Sequence, residues 1–476
     1  MTVLANKNKQ WLLKAGVLFS PFMFSPVAFA TNGMLLEGMG PEATGMGGAA
    51  QAVDNGTAAM VNNPATLGLM RSGESRFDFA VGNLRPDVEA GQMGSSDGDS
   101  YLMPAIGYTS KTGRVGYGVG VFSQGGMGTE YGSDTMLGMF AGGEARSEVG
   151  VGAVLFPVSY DLSSKVTVGG TLQYVWGGMD MIFGMPMGNT AAPQPGTFAD
   201  FANPSSNILG SATGTLVQGL GSAAAPAFLS PDDAAVFHFS NDNDFSGQVK
   251  GQGAGASAGI MYQASPRFRV GGSYRTKTAM SNFKGSGSMK IIDLGDGAGG
   301  AGSGDELEIT GDYSIKDFQF PAVASVGMAY QVTPSTLLAM DVSHIDWSSV
   351  MDTVDIVFKA DSGPFAGAVA NVSMNQHWDD QTVVKLGVEH ALNARTKIRG
   401  GLNIASNPVP DEYLNPLFPA IIENHITAGF SHKLNRNSEI SGSIVHAPEV
   451  EQTNSNTMGE SSHSQTNLQL MYSRTW

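Results

Sequence analysis

The sequence predicts an all-β fold: a transmembrane antiparallel β-barrel of about 14 strands with an N-terminal plug (hatch) inside the lumen. Three observations favour it. Several segments alternate apolar and polar side chains with a period of two. The connections between these segments are short and long in strict alternation, which is typical of a barrel with tight turns on one side of a membrane and loops on the other. The chain also ends in such a segment, with the aromatic Trp476 as its last residue.

Residues 1–30 fit a secretory signal peptide. Lys7, Lys9 and Lys14 form a positive start, residues 15–24 are apolar, and residues 28–30 have the small-residue pattern of a cleavage site. A transmembrane anchor is the alternative, but the apolar run is short and is interrupted by proline. We therefore expect the mature protein to begin at Thr31.

Composition excludes several classes of protein. The full chain has a formal charge of −16, so loss of the three signal lysines leaves −19, which excludes a nucleic-acid binder that depends on phosphate contacts. The chain has no Cys, hence no disulfide framework and no thiolate chemistry. No later stretch has about 18 consecutive apolar residues, so we expect no transmembrane helix. A soluble secreted β-protein and an outer-membrane barrel remain.

Residues 31–72 are expected to form the plug. The segment is rich in glycine and poor in charge, yet it carries apolar side chains and has no long strand or helix pattern. Asn63, Pro64 and Ala65 predict a fixed turn. A disordered N-terminal tail is the alternative. Because residues 73–476 have the strand pattern of the barrel, we expect the turn to be lodged in the lumen.

The strand assignments rest on alternation. Between Val166 and Trp176, for example, Leu172 and Tyr174 share a face opposite Thr171 and Gln173. The predicted strands lie near 74–85, 101–111, 114–123, 148–161, 166–176, 248–263, 267–277, 312–332, 336–347, 382–392, 395–404, 424–434, 438–447 and 465–476. Every second connection is a few residues long, whereas the others run from about a dozen to about seventy residues. A soluble β-sandwich has no reason to keep this alternation.

Three further stretches resemble a known family. They are Gly45–Ala49 with the turn at residues 63–65, the run from Phe320 to Trp347, and the run from Lys385 to Pro419, which includes Asn407-Pro408-Val409-Pro410. In these stretches the chain resembles the FadL family of outer-membrane transporters of long-chain fatty acids and hydrophobic compounds. The resemblance implies a fourteen-stranded barrel, a plugged lumen, extracellular capture of an apolar ligand, and a sideways exit beside a kinked third strand.

The longest predicted loop, residues 177–247, carries many apolar side chains on the expected outer side. Exposed apolar patches commonly mark binding surfaces, and methionine adapts to irregular apolar ligands. The candidates for a capture groove are Met185, Phe198, Phe201, Ile208, Leu209, Leu216, Leu220 and Phe228, with Met127, Met136, Met139 and Phe140 from an earlier loop. The alternative is that these residues only pack the loop against itself.

A fatty-acid ligand would also need a cation for its carboxylate. Five cationic residues fall on the polar faces of predicted strands, and a cation facing lipid costs about 2–4 kcal/mol near the midplane, so we expect them to face inward. They are Arg267, Arg269, Arg275, Lys397 and Arg399. Pairing with inward acidic residues is the alternative role.

Pro104 in the second strand and Gly116 and Gly118 in the third weaken strand pairing, because proline lacks a ladder donor and glycine permits bends. Poor pairing here predicts an opening in the wall, and the family resemblance implies the same opening. Together with the turn at residues 63–65, these positions are the candidate gate.

The sequence therefore predicts a monomeric outer-membrane protein of a Gram-negative cell that passively moves long-chain fatty acids or related hydrophobic molecules, in contact with outer-membrane lipids and lipopolysaccharide. The alternatives are an aromatic or alkane hydrocarbon channel of the same fold, a surface adhesin or phage receptor, and an outer-membrane lipase. His344, Asp346 and Ser348 do not form a triad, because they alternate along one strand end. We expect no enzyme activity, no cofactor and no metal, since the acidic cluster near residues 293–312 lacks calcium-loop spacing.

Overall fold

The computed structural model describes residues 31–186, 210–220, 234–241, 243, 246–292, 307–455 and 459–476. The predicted signal peptide at residues 1–30 lies outside this part of the chain. No helix in the described ranges is long and apolar enough to cross a membrane.

The described residues form 21 strands and four short α-helices. The strands are β1 (Ser75–Glu89), β2 (Tyr101–Thr112), β3 (Val115–Tyr131), β4 (Ala145–Asp161), β5 (Val166–Pro186), β6 (Ser211–Thr213), β7 (Ala234–Phe239), β8 (Val249–Ser265), β9 (Phe268–Arg275), β10 (Ala279–Met280), β11 (Phe283–Ile292), β12 (Leu307–Lys316), β13 (Val323–Thr333), β14 (Thr336–Ile345), β15 (Thr353–Ala360), β16 (Val369–Asn375), β17 (Gln381–Ala391), β18 (Thr396–Ala405), β19 (Asn424–Lys433), β20 (Ser438–Thr453) and β21 (Glu460–Thr475). The α-helices are α1 (Pro41–Thr44), α2 (Ala59–Asn62), α3 (Met136–Phe140) and α4 (Thr215–Leu220), and 3₁₀ helices span Gly56–Ala58, Pro64–Leu69, Gly91–Met93, Gly363–Phe365 and Asp411–Tyr413.

Antiparallel pairing closes a barrel. Within the described residues, the partners run from β1 through β2, β3, β4, β5, β8, β9, β13, β14, β17, β18, β19, β20 and β21 back to β1. These fourteen strands form the wall. In a closed ring every wall strand has a neighbour on each side, which is how a barrel satisfies its backbone in lipid.

The two faces of the wall have opposite character. Large apolar side chains such as Leu172 and Val326 are 69% and 65% exposed on the outside, where they face lipid. Polar side chains such as Asn403 and Ser441 are buried on the inside. This apolar-out, polar-in alternation is the pattern of a membrane barrel.

A second layer of strands, which we call the cap, covers the end of the barrel with the long connections. It consists of β6, β7, β11, β12, β15, β16 and α4, joined to the wall where β5 continues past β8 and pairs with β7. Its inner side is aromatic, with Phe183 stacked on Phe237 at 5.1 Å between ring centroids. By the usual orientation of such barrels, the cap is extracellular and the tight turns are periplasmic.

The cap corrects the sequence-based strand assignments. The expectation of about fourteen strands for the whole chain is too low, because segments expected to be loops carry cap strands. The predicted strand at 312–332 is two strands, since β12 pairs with β15 in the cap while β13 pairs with β9 in the wall. The alternation of tight and long connections is confirmed.

Candidate functional site

The segment from Thr31 to Met70 lies inside the ring of strands, where wall residues from many sides bind its backbone. Asn63 and Pro64 form the predicted turn: Asn63 Oδ1 accepts a hydrogen bond from the Ala65 amide at 3.0 Å. Asn63 Nδ2 donates to the carbonyls of Gln51 in the plug (2.8 Å) and Ile260 in β8 (3.3 Å). One fully buried side chain thus closes the turn and ties it to the wall.

Glycines on the inner face of the wall make room for this turn. A Cβ at Gly259 in β8 would collide with Asn63 Oδ1, and one at Gly169 in β5 would lie 2.6 Å from the Pro64 carbonyl carbon. A Cβ at Gly271 in β9 would collide with the Gln51 carbonyl oxygen. The close approach of plug and wall backbones therefore requires glycine at these positions.

Charged residues of the wall hold the plug at other points. Asp341 Oδ2 in β14 accepts from the amides of Ala50 (2.6 Å) and Gln51 (3.0 Å). Lys385 Nζ in β17, which pairs opposite Asp341, donates to the Glu37 carbonyl at 3.0 Å. Charge-assisted hydrogen bonds of this kind are stronger than neutral ones.

Two plug carboxyl groups are buried in this contact. Glu37 Oε2 accepts from Asn467 at 3.3 Å, and Glu42 Oε1 accepts from Ser441 at 3.2 Å. Burial raises the pKa of both Glu37 and Glu42 to about 7, because the loss of hydration outweighs the stabilising effects of Lys385 and Arg399 respectively. The plug therefore carries two acidic groups that ionise near neutral pH.

The third strand is kinked. β3 pairs with β2 only as far as Phe122 opposite Ala105, and its register with β4 shifts by one residue between Ser123 and Gly125. Gln124 is the extra residue of this β-bulge, and its side chain is buried. A bulge bends the strand that carries it.

The plug takes the place of the lost partner. Beyond the bulge, Gly125 bridges to Leu35, and the Gly126 amide donates to the Met34 carbonyl at 3.0 Å. A Cβ at Gly125 would collide with that carbonyl oxygen, so a larger residue does not fit. β3 therefore leaves β2 and follows the plug inward.

A cavity of about 840 Å³ occupies the gap between β2 and β3. Buried residues line its inner part, including Gly33 and His463, and the exposed Trp176 and Gln252 line its outer part. Tyr101, Leu102, Met103 and Pro104 of β2 form one side, and Gly126, Met127 and Gly128 of β3 form the other. The cavity thus joins the interior to the lipid-facing surface through the wall.

Of the predicted gate residues in β2 and β3, one lies at this opening and two lie away from it. Pro104 borders the opening, in the part of β2 that has lost its β3 partner. Gly116 and Gly118 lie instead in the regularly paired part of β3, opposite Lys111 and Thr109. The break in the wall is further along the strand, at the bulge.

The five predicted cations also have different surroundings. Lys397 and Arg399 bind the Glu389 carboxylate at 2.9 and 2.8 Å, which is the pairing alternative. Arg267 is exposed at a tight turn, and Arg269 is half-buried on the luminal face. Arg275 lies beside the kink, with Nη1 3.5 Å from Gln124 Oε1, and lines a luminal cavity of about 80 Å³ with Lys385.

The described members of the predicted capture groove do not form an open groove. Met185, Leu216 and Leu220 are buried in the cap, whereas Met136, Met139 and Phe140 of α3 are exposed on the outer side. Phe198, Phe201, Ile208, Leu209 and Phe228 lie outside the described residues. The helix expected from residue 208 onward is shorter, because residues 211–213 form β6 and the helix begins at Thr215.

Sequence reasoning missed Gln124, Asp341 and Lys385 as site residues. A signal existed for Gln124, because Ser123-Gln124-Gly125-Gly126 interrupts the apolar alternation of β3. Asp341 and Lys385 alternate like other inward polar residues, and only the position of the plug distinguishes them. Within the described ranges, no group of three or more His, Asp or Glu residues is arranged to hold a metal ion.

Comparison with known proteins identifies the architecture. The family "Outer membrane protein transport protein (OMPP1/FadL/TodX)" matches residues 23–474. The toluene transporter TodX of Pseudomonas putida is similar in structure, with a TM-score of 0.77 and 25% identity over 93% of this chain and 99% of that one. The toluene transporter TbuX of Ralstonia pickettii has a TM-score of 0.72 and 27% identity over 92% and 98% of the two chains. A Pseudomonas aeruginosa FadL homologue shares the fold at 13% identity, with a TM-score of 0.64 over 93% and 99%.

One curated relative matches over a short region. It is an uncharacterised protein from the 5′ region of the phosphoenolpyruvate carboxykinase gene of Chlorobium limicola, 49% identical over 80 residues. The match spans 17% of this chain and 39% of that protein. The family match, which covers nearly the whole chain, is to transport channels and not to enzymes, so the lipase alternative is wrong. The chain therefore belongs to the OMPP1/FadL/TodX family of outer-membrane transport proteins.

Proposed function

We propose that this channel carries small neutral hydrocarbons, such as monoaromatic compounds, from the cell exterior through the gap between β2 and β3 into the outer membrane. The observation that carries the proposal is the cavity of about 840 Å³ at that gap, with an inner side at the plug and an outer side at Trp176. An apolar molecule that leaves through it enters lipid and never crosses the polar lower lumen.

The lining of the gap suits an apolar ligand. Met103, Met127 and Trp176 offer polarisable or aromatic surface, and Pro104 adds an aliphatic ring. The cavity volume of about 840 Å³ lies within the usual range for ligand pockets, about 300–1,000 Å³. A single aromatic ring fits in it with ample room.

Three luminal cations are already engaged by other groups, which favours a neutral ligand. The sequence alone had favoured a fatty acid. Lys397 and Arg399 are already paired with Glu389, and Lys385 holds the Glu37 carbonyl. A carboxylate that binds any of these three cations has to compete with its present contact, whereas a hydrocarbon needs none of them. The toluene transporters TodX and TbuX, similar in structure, support the same choice.

Fatty-acid transport remains the second candidate because of Arg275. Its guanidinium lines the small luminal cavity beside the kink and makes a long contact of 3.5 Å with Gln124 Oε1. A carboxylate that reached this point would find a cation close to the exit.

The first experiment compares uptake of labelled toluene and labelled oleate by cells with and without the gene. We expect faster toluene uptake with the gene and little change for oleate. The reverse result would favour the fatty-acid candidate. If neither rate depends on the gene, transport of both classes is excluded, and the adhesin or phage-receptor alternative is to be tested by attachment.

A variant tests the exit itself. Gly150 in β4 lines the cavity, and a Cβ there meets nothing within 4 Å, so Gly150→Leu fills the gap without strain. We expect at least about fivefold slower toluene uptake with normal barrel assembly, since the added side chain blocks the path. The control is Gly400→Leu, on the lipid-facing side of β18, where a Cβ has its nearest neighbours at 3.9 Å. Equal uptake by the two variants would show that the ligand leaves elsewhere.

A further inference from the structure

Four lysines stand close together on the outer surface, where the wall meets the cap. Lys250 in β8 pairs directly opposite Lys284 in β11. Lys277 lies between β9 and β10, and Lys316 ends β12.

Among the described residues, these lysines have no acidic partner. Within the described part of the chain, none of the four ammonium groups forms an ion pair or a hydrogen bond, in a protein whose formal charge is −16. Like charges directly opposite each other on neighbouring strands destabilise a sheet. An anion placed between Lys250 and Lys284 would relieve this repulsion.

Their height on the barrel points to the source of that anion. On the outer face of β5, the exposed Leu172, Tyr174 and Trp176 follow one another outward, and Trp176 pairs opposite Gln252. Aromatic residues mark the edge of the hydrocarbon region. Lys250 is two residues beyond Gln252, about 7 Å further out at the usual strand rise, which is the level of the lipid headgroups.

Acidic residues surround only part of the cluster. Asp317, Asp352 and Asp355 line the outer cleft that contains Lys277 and Lys316. Asp355 already accepts from Ser373 at 2.5 Å and from Thr353 at 3.2 Å. Glu148 lines the cavity that reaches Lys250 and Lys284, but it is paired with Arg146 at 3.0 Å. Lys250 and Lys284 are thus the members most open to an added anion.

We propose that Lys250 and Lys284, with Lys277 and Lys316 beside them, form a binding site for the phosphate groups of lipopolysaccharide in the outer leaflet. Ammonium groups bind phosphate as compact point charges, and clustered lysines at a membrane surface bind anionic headgroups. Gln252, Ser281 and Asn282 border the same surface and supply neutral hydrogen-bonding groups. The bound lipid lies directly above the outer mouth of the gap between β2 and β3.

The test uses the full-length protein in detergent and measures retention of bisphosphorylated lipid A by native mass spectrometry. We expect Lys250→Gln with Lys284→Gln to weaken lipid A binding at least tenfold, and enzymatic removal of the phosphates to weaken binding to the wild type equally. Lys250→Arg with Lys284→Arg should retain binding, because the charge is kept. The control, Lys165→Gln with Lys433→Gln, changes two exposed lysines of the opposite rim and should bind as the wild type does.

Three results would overturn the proposal: unchanged binding in the double Gln variant, loss of binding in the double Arg variant, or equal binding of dephosphorylated lipid A. Phosphatidylglycerol or inorganic phosphate that competes as strongly as lipid A would also overturn it, since the site would then recognise phosphate from any source. Heat-modifiable migration on gels verifies that each variant is folded. None of these outcomes depends on which hydrocarbon the channel carries.

Discussion

Asn63 shows how one side chain joins the plug to the wall. Its amide completes the Asn-Pro turn, binds the Gln51 carbonyl across the plug, and reaches the Ile260 carbonyl in β8. The fit depends equally on Gly259 in β8, which faces this side chain. Gly259 has no Cβ, and a Cβ there would displace Asn63 Oδ1. The glycines that face the plug are therefore as necessary for its position as the hydrogen bonds of Asn63.

The close approach of Gly259 to Asn63 predicts what a methyl group added at Gly259 would do. Gly259→Ala places a Cβ against Asn63 Oδ1, so the turn has to move away from the wall. We expect the barrel to assemble and single-channel recordings to show ion leakage that the wild type lacks.

The matched substitution is Gly170→Ala in the neighbouring β5, where a Cβ lies 3.4 Å from the Ser257 carbonyl oxygen, an ordinary contact. That variant should show no more ion leakage than the wild type. Leakage through both variants, or through neither, would contradict the proposed role of Gly259.

β3 is the element that decides where the wall opens. Its first part pairs with both neighbours, and after the bulge at Gln124 it pairs with the plug instead of β2. The predicted gate residues Gly116 and Gly118 lie in the regularly paired part of this strand, before the bulge. Glycine content alone did not locate the break, because glycines also occur in the paired part.

Deletion of Gln124 tests this element. Without the extra residue, Ser123 opposite Gly152 is followed directly by Gly125 opposite Val151, so β3 can continue straight and pair with β2. We expect at least about tenfold slower toluene uptake by an assembled barrel. Gln124→Ala, which keeps the bulge, should transport much faster than the deletion, and equal rates would show that the bulge does not control the exit.

The position of α4 differs from the one expected for a ligand-capture helix. Leu216 and Leu220 were expected to face an open groove, but both are buried in the cap. A charged residue at either position would first disrupt the packing of the cap. The exposed apolar side chains of α3 are the described outer surface that still fits capture of a ligand.

The plug and the barrel together form a pH-dependent unit. In the seated plug, burial raises the pKa of Glu37 and Glu42 to about 7, whereas a displaced plug exposes both groups and returns them to ordinary values. The plug is therefore held in the lumen most strongly at pH values below 4.5, the ordinary pKa of these groups. Its binding to the wall weakens as the pH rises from there to about 7, and changes little at higher pH.

We accordingly expect the plug to open more often at pH 8 than at pH 4.5. One pKa unit corresponds to about tenfold in the equilibrium, so the increase should be at least tenfold. Single-channel conductance of the full-length protein measures it. Glu37→Gln with Glu42→Gln removes both titrations and should give a flat pH profile, and a steep profile in that variant would assign the effect to other groups.

The sequence determined the wall of this protein, because the information for it is local. Each wall strand shows its period of two within about ten residues, each tight turn has its own Gly, Asn or Ser residues, and the Asn63-Pro64 turn is encoded by neighbouring residues. The inward orientation of Arg269, Arg275 and Arg399 followed from the same alternation, since a charge on the outer face would lie in lipid. The same expectation for Arg267 is wrong, because Arg267 lies exposed at a tight turn just before β9 begins.

The tertiary structure decided the cap and the opening, because both depend on partners distant in the chain. Ala212 of β6 pairs with Val372 of β16, and neither short segment shows which partner it will find. At the opening, a shift of one residue at Gln124 and a bridge from Gly125 to Leu35 in the plug replace the β2 partner. Both contacts join segments far apart in the chain, so the sequence of β3 marks an interruption near Gln124 but not the partner that replaces β2.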